Sequence, residues 1–100
     1  MIKLDDIERI YFLGIGGIGM SALARYFMAK RFKVAGYDRD QSEICISLKK
    51  DSCEIYFDDD PTLIPPLFRE NTTTLVVYTP AIPEDNKLIK YFKDQDYLLC

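Results

Sequence analysis

The chain of 100 residues contains no histidine and no tryptophan. Without an imidazole, serine–histidine acyl transfer and histidine-ligated metal are both excluded. Cysteine is scarce: Cys45, Cys53 and Cys100 are odd in number and lack C-x-x-C spacing. That pattern fits neither a disulfide framework nor a zinc site, so three free thiols are expected. No apolar run approaches the ~18 residues of a membrane span. The first residues, MIKLDDIERI, carry acids and no apolar signal segment, so a cytoplasmic chain with no membrane association is expected. Basic charge is also short, with 13 Lys and Arg against 16 Asp and Glu and a net charge of −3. Nucleic-acid binding needs a clustered basic face, which this chain lacks. Any nucleotide phosphate would have to be held by backbone dipoles. At this length there is one core and no room for a second domain.

Glycine is sparse too, yet four of the five glycines lie within six residues, Gly14 to Gly19, in the run GIGGIGMSALA. An apolar stretch, Ile10 to Leu13, precedes that run and a helical pattern follows it. The string satisfies G-x-G-x-x-G at Gly14, Gly16 and Gly19. The expected roles are a tight turn at Gly14, backbone approach to a pyrophosphate at Gly16, and close helix–sheet packing at Gly19. Free N–H groups of the following helix, from Gly16, Gly17, Ile18 and Gly19 onward, would face the anion. Ser21, one turn in, either donates to a phosphate oxygen or is simply a small residue at a close contact. No G-x-x-x-x-G-K-[ST] string is present, so ATP chemistry is not expected in this chain.

Hydrophobic spacing orders the rest. Ile10–Leu13 reads as a buried strand, and Ile18–Lys30 as a helix covering the sheet with Met20, Leu23, Ala24, Phe27 and Met28. Phe32–Tyr37 is a second strand, and Ser42–Lys50 a second helix capped by Ser42 with Glu43 in its first turn. Cys53–Phe57 is a third strand. The acidic, proline-rich stretch from Asp58 to Pro66 reads as a solvated loop or short helical turn. Thr72–Thr79 is a fourth strand, Glu84–Lys93 a third helix, and Tyr97–Cys100 the start of a fifth strand. Tyr11, Phe12, Tyr26, Phe27 and Tyr37 are expected in the core or covering it.

This alternation defines an α/β fold: a Rossmann-like open parallel sheet of about five strands, ordered 3-2-1-4-5, with helices on both faces. Ligands of such sheets bind at the carboxyl ends of the strands, where the order reverses. Three segments converge there: the glycine turn, Asp38 at the end of strand two, and the loop Thr79-Pro80-Ala81-Ile82-Pro83. Asp38 stands 19 residues after Gly19, where a carboxylate can accept ribose hydroxyls. On the residues alone, a nicotinamide dinucleotide of a dehydrogenase or redox sensor, another nucleotide, or no ligand at all remain open.

GIGGIGMSALA together with VVYTPAIPEDN, Val76 to Asn86, resembles the N-terminal domain of the bacterial Mur ligases, whose closest branch reads GIGGxGMSxxA and VVVSSAIPEDN. A related branch, which attaches a tripeptide to muramate, usually has a different glycine loop. The resemblance implies a single domain over residues 1–100 that grips the UDP part of UDP-N-acetylmuramate. It places the diphosphate on Gly16, Gly17, Ile18, Gly19, Met20 and Ser21, the uridine near Asp38, and the sugar nucleotide along Thr79, Ala81, Ile82 and Pro83. It further implies a ligase that uses ATP and Mg2+ in other domains to join L-alanine to the lactyl carboxylate in peptidoglycan synthesis. The fragment alone would bind no cofactor and catalyse nothing. Pro80 departs from the family serine, Tyr11 from a frequent histidine, and Asp58-Asp59 from a frequent Gly-His. An added acid beside a diphosphate repels it, so that acidic loop is expected to point outward or to be mobile.

Overall fold

The computed structural model describes residues 4–100. After a 3-10 turn at Leu4–Asp6 come β1 (Arg9–Leu13), α1 (Ile18–Ala29), β2 (Lys33–Tyr37), α2 (Glu43–Lys50) and β3 (Glu54–Tyr56). Two further 3-10 turns, Pro61–Leu63 and Pro66–Phe68, lead to β4 (Thr74–Val77), α3 (Lys87–Asp94) and β5 (Leu98–Leu99). All pairings are parallel, and the sheet order is β3-β2-β1-β4-β5. This is the expected doubly wound sheet. Among the described residues, no helix is long and apolar enough to cross a membrane.

The alternation of β1 explains why both faces need cover. Ile10 and Phe12 point into a core built with Ala24 of α1 and Cys45 and Leu48 of α2. Tyr11 and Leu13 point the other way, into a core with Ile64, Phe68 and, from α3, Leu88, Ile89 and Phe92. Aromatic edges fill that second layer: Tyr11 lies 5.3 Å from Phe92 and 5.8 Å from Phe68 between ring centroids. Fully burying one such side chain contributes roughly 1.5–3 kcal/mol. Burial also drives the Tyr11 hydroxyl far above the usual phenol range, so it stays neutral.

With the glycines concentrated in one loop, none is left to end the helices. The left-handed position after each helix is filled instead by Arg31 (φ 71°), Ser52 (φ 73°) and Asp96 (φ 59°). The same pair of bonds closes all three ends. In α1, Phe32 N–H donates to the Phe27 carbonyl at 3.0 Å and Arg31 N–H to Met28 at 3.0 Å. Cys53 and Ser52 do likewise for α2, and Tyr97 and Asp96 for α3. Each is a Schellman motif with its apolar contact, such as Tyr97 on Phe92 at 4.7 Å between centroids.

Several expected boundaries contract. The fourth strand spans Thr74–Val77 rather than Thr72–Thr79, and the third and fifth shorten to Glu54–Tyr56 and Leu98–Leu99. The third helix starts at Lys87, not Glu84, because the cap is Asn86, whose side chain accepts the Ile89 N–H. Ser42 caps α2 as expected, accepting the Cys45 N–H at 3.2 Å. Tyr26 is a correction: it is 55% exposed, as Leu23 is 38% exposed, because the buried side of α1 centres on Ser21 and Ala24.

Candidate functional site

The carboxyl ends of β1, β2 and β4 open onto a cleft of about 740 Å³. Gly14, Gly16, Gly17 and Met20 form one wall, Tyr37 and Asp38 a second, and Thr79, Ala81, Ile82 and Pro83 the third. The three segments singled out in the sequence thus meet around one space. Ile18, Gly19 and Ser21 do not line it with side chains. Ile18 is 84% exposed, and Ser21 is buried with its hydroxyl donating to the Ile18 carbonyl at 3.0 Å. Ser21 has the burial that the packing reading expects.

Gly14 turns the chain at φ 89°, a conformation costly for any other residue. Its N–H and that of Ile15 both donate to the Tyr37 carbonyl, at 2.8 and 3.1 Å. Gly16 then donates to Asp38 Oδ2 at 2.7 Å, and Gly17 to the Gly14 carbonyl at 3.1 Å. The first intrahelical bond of α1 is Ser21 N–H to the Gly17 carbonyl, and no side chain caps the helix. The N–H groups of Ile18, Gly19 and Met20 are therefore the ones free for an anion.

Two glycine roles change. A Cβ at Gly16 would lie 2.8 Å from both Asp38 Oδ2 and Cys45 Sγ, so protein atoms already require glycine there. A Cβ at Gly19 would meet nothing within 4 Å, so the expected close packing with the sheet is absent. The tight position is Gly36 in β2, where a Cβ would sit 2.8 Å from the Phe12 carbonyl oxygen and 2.9 Å from Ile15 Cδ1.

The opposite rim corrects the acidic loop. Asp59 points inward, not outward: its carboxylate accepts the N–H groups of Lys87 at 2.8 Å and Leu88 at 2.9 Å. With Asn86 accepting from Ile89, three N–H groups of α3 are satisfied by side chains. Three helix N-termini border the cleft, and with Ser42 capping α2, only that of α1 is uncapped. Asp60 is engaged as well, accepting Thr62 N–H and hydroxyl, which holds its carboxyl below the usual range. Pro80 proves harmless to the loop after β4. The turn is closed by Ile82 N–H to the Thr79 carbonyl and Ala81 N–H to the Thr79 hydroxyl, neither of which needs an N–H at position 80.

Asp38, Asp40, Asp59 and Asp85 line the cleft against Arg39 and Lys87. An anion here gains little from net charge and depends on backbone dipoles. Burial, with the Asp59 and Asp38 carboxylates adding to it, raises the Tyr37 hydroxyl and keeps it a neutral donor. Sequence reading missed Asp59, Asn86 and Lys87. Asn86 just before an apolar-periodic segment is a legible cap signal, whereas Asp59 acts across 28 residues and leaves none.

The residues present do not fit a Mg2+–ATP site. No group of three His, Cys, Asp or Glu among the described residues could hold a metal, and the glycine turn lacks a phosphate-binding lysine.

An all-parallel sheet with a helix N-terminus beside the cleft at its order reversal defines a Rossmann-like domain. Residues 9–98 match the family profile described as Mur ligase family, catalytic domain. The chain belongs to the Mur ligase family. It is 50% identical over 91 residues to the UDP-N-acetylmuramate–L-alanine ligase of Porphyromonas gingivalis, covering 91% of this chain and 20% of that protein. The ligase of the same name from Christiangramia forsetii is 47% identical over 98 residues, covering 97% and 22%. Among solved structures, the UDP-N-acetylmuramate-alanine ligase of Thermotoga maritima superposes with a TM-score of 0.80 at 28% identity, over 91% of this chain and 20% of that one. The UDP-N-acetylmuramate:L-alanyl-gamma-D-glutamyl-meso-diaminopimelate ligase of Neisseria meningitides shares the fold, with a TM-score of 0.79 at 18% identity over 94% and 28%. The chain spans about a fifth of the length of the curated relatives it matches.

Proposed function

We propose that this chain is the UDP-gripping domain of an ATP-dependent UDP-N-acetylmuramate–L-alanine ligase, working in cytoplasmic synthesis of a peptidoglycan precursor. The observation that carries the reading is the uncapped N-terminus of α1 beside the cleft, while the neighbouring α3 N-terminus is filled by Asp59 and Asn86. A diphosphate seats on the N–H groups of Ile18, Gly19 and Met20, with Gly16 and Gly17 shaping the turn. The sugar runs along Thr79, Ala81, Ile82 and Pro83, and the uridine lies at the end of β2 beside Asp38. The domain anchors and orients the substrate. Activation of the lactyl carboxylate as an acyl phosphate, and attack by the L-alanine amine with loss of phosphate, belong to residues outside this chain. A nicotinamide dinucleotide is the second reading, which the G-x-G-x-x-G spacing supports.

Parallel calorimetric titrations of this chain with UDP-N-acetylmuramate, UDP and NAD test the assignment. Binding of the first two in preference to NAD is expected. Tighter NAD binding, or no heat with any of the three, overturns it.

A further inference from the structure

We propose that Asp38 is a positioning residue, which holds the glycine loop in its anion-binding shape instead of reading a ribose. The inference rests on the function proposed above only in taking the ligand to carry a diphosphate. The end of β2 fastens three consecutive N–H groups of the loop: Gly14 and Ile15 on the Tyr37 carbonyl, and Gly16 on Asp38 Oδ2. The other carboxylate oxygen, Oδ1, accepts Asp40 N–H at 2.9 Å, so the side chain is held at both ends. The fit is close enough to dictate residue 16, since a Cβ there would fall 2.8 Å from Oδ2.

The division of labour along the loop follows from these bonds. N–H groups 14 to 16 bond to the end of β2, and those of Ile18, Gly19 and Met20, at the start of α1, are left without a partner among the described residues. Releasing Gly16 from Asp38 would free the loop to rotate about the flexible Gly16-Gly17 pair and misalign the start of α1. A carboxylate that only stood near the phosphates would act oppositely, since its removal would relieve repulsion and tighten anion binding.

Inorganic pyrophosphate and uridine, titrated separately against wild type, Asp38→Asn and Asp38→Ala by amide NMR, divide the possibilities. Loss of a charge-assisted bond predicts about tenfold weaker pyrophosphate binding in Asp38→Ala, a smaller loss in Asp38→Asn, and uridine affinity within about twofold of wild type. Loss of uridine affinity with pyrophosphate unchanged or tighter would overturn the proposal in favour of ribose contact. Hydrogen exchange on wild type gives a readout independent of variant folding. The Gly16 amide should be protected relative to Gly19, and equal exchange rates of the two overturn the brace. A wild-type chain that prefers NAD to UDP, yet shows the pyrophosphate–uridine split, supports the brace while refuting the muramate assignment. Failure of wild type to bind pyrophosphate overturns the brace's role in anion binding.

Discussion

Replacing Asp59 by alanine strips two caps from α3 at once. The helix has only eight residues, and Lys87 and Leu88 N–H groups donate to this one carboxylate at 2.8 and 2.9 Å. Losing a side-chain cap costs about 0.5–2 kcal/mol. Two charge-assisted bonds and a favourable dipole place this case near the top, at about 2 kcal/mol. For a domain of this size each kcal/mol lowers Tm by roughly 4–8 °C, so Asp59→Ala should melt about 8–16 °C below wild type. Asp59→Asn keeps one acceptor oxygen and should recover about half of that loss. Thermal unfolding followed by circular dichroism, with urea m-values to confirm an unchanged folded state, reads the effect. Asp59 also raises the Tyr37 hydroxyl, so the alanine variant should show a lower phenol pKa by ultraviolet titration. Melting within about 2 °C of wild type would refute the cap, because such a loss is smaller than a single weak cap would give.

The three helix ends and the glycines make further points. Ser52→Gly and Arg31→Gly each relieve a left-handed residue and should stabilise by about 0.5–1 kcal/mol, measurable by urea denaturation; destabilisation of both would contradict the strain argument. Gly36→Ala should destabilise by about 1–3 kcal/mol because its Cβ meets the Phe12 carbonyl. Gly19→Ala, with open space around it, should stabilise by about 0.5–1 kcal/mol in the same assay. Burial raises the Cys53 thiol from 9.0 to about 11 and the Tyr97 hydroxyl from 10.0 to about 12. Their contributions to stability are full below pH 9.0 and 10.0, respectively, and are lost as pH climbs through the folded values. Denaturation midpoints should hold to about pH 9 and then fall steeply, and a midpoint flat to pH 11 would contradict this.

Local patterns carried most of the architecture. Ile10–Leu13 is apolar on successive residues because both faces of β1 are covered, and Ser42 announces α2 because its hydroxyl reaches only three residues ahead. Strand ends were less legible, since they are set by where neighbouring strands stop pairing; β4 yields at Val77, opposite Phe12. The cleft was legible as three converging segments, but not in its bonding. Nothing near Asp59 points to the N-terminus of α3, and nothing near Gly16 shows that its missing side chain makes room for Asp38 and Cys45. The outward side of α1 was misread for a related reason. Ile18, Ala22, Leu23 and Tyr26 are apolar or small on both sides of the helix, so spacing alone did not say which side meets the sheet.

The central position of β1 constrains the order in which the domain can assemble. It lies between β2 and β4, and every strand pair is parallel, so no two strands can meet through a hairpin. The pairing of β1 with β2 closes over α1 alone, whereas Arg9 finds Thr74 only after α1, β2, α2 and β3 have intervened. Loop-closure entropy therefore favours the half from β1 to β3 forming ahead of β4 and β5. On a ribosome this half is also the first to emerge. The glycine loop and its tie to Asp38 lie wholly within that early half, while the far wall of the cleft arrives with β4.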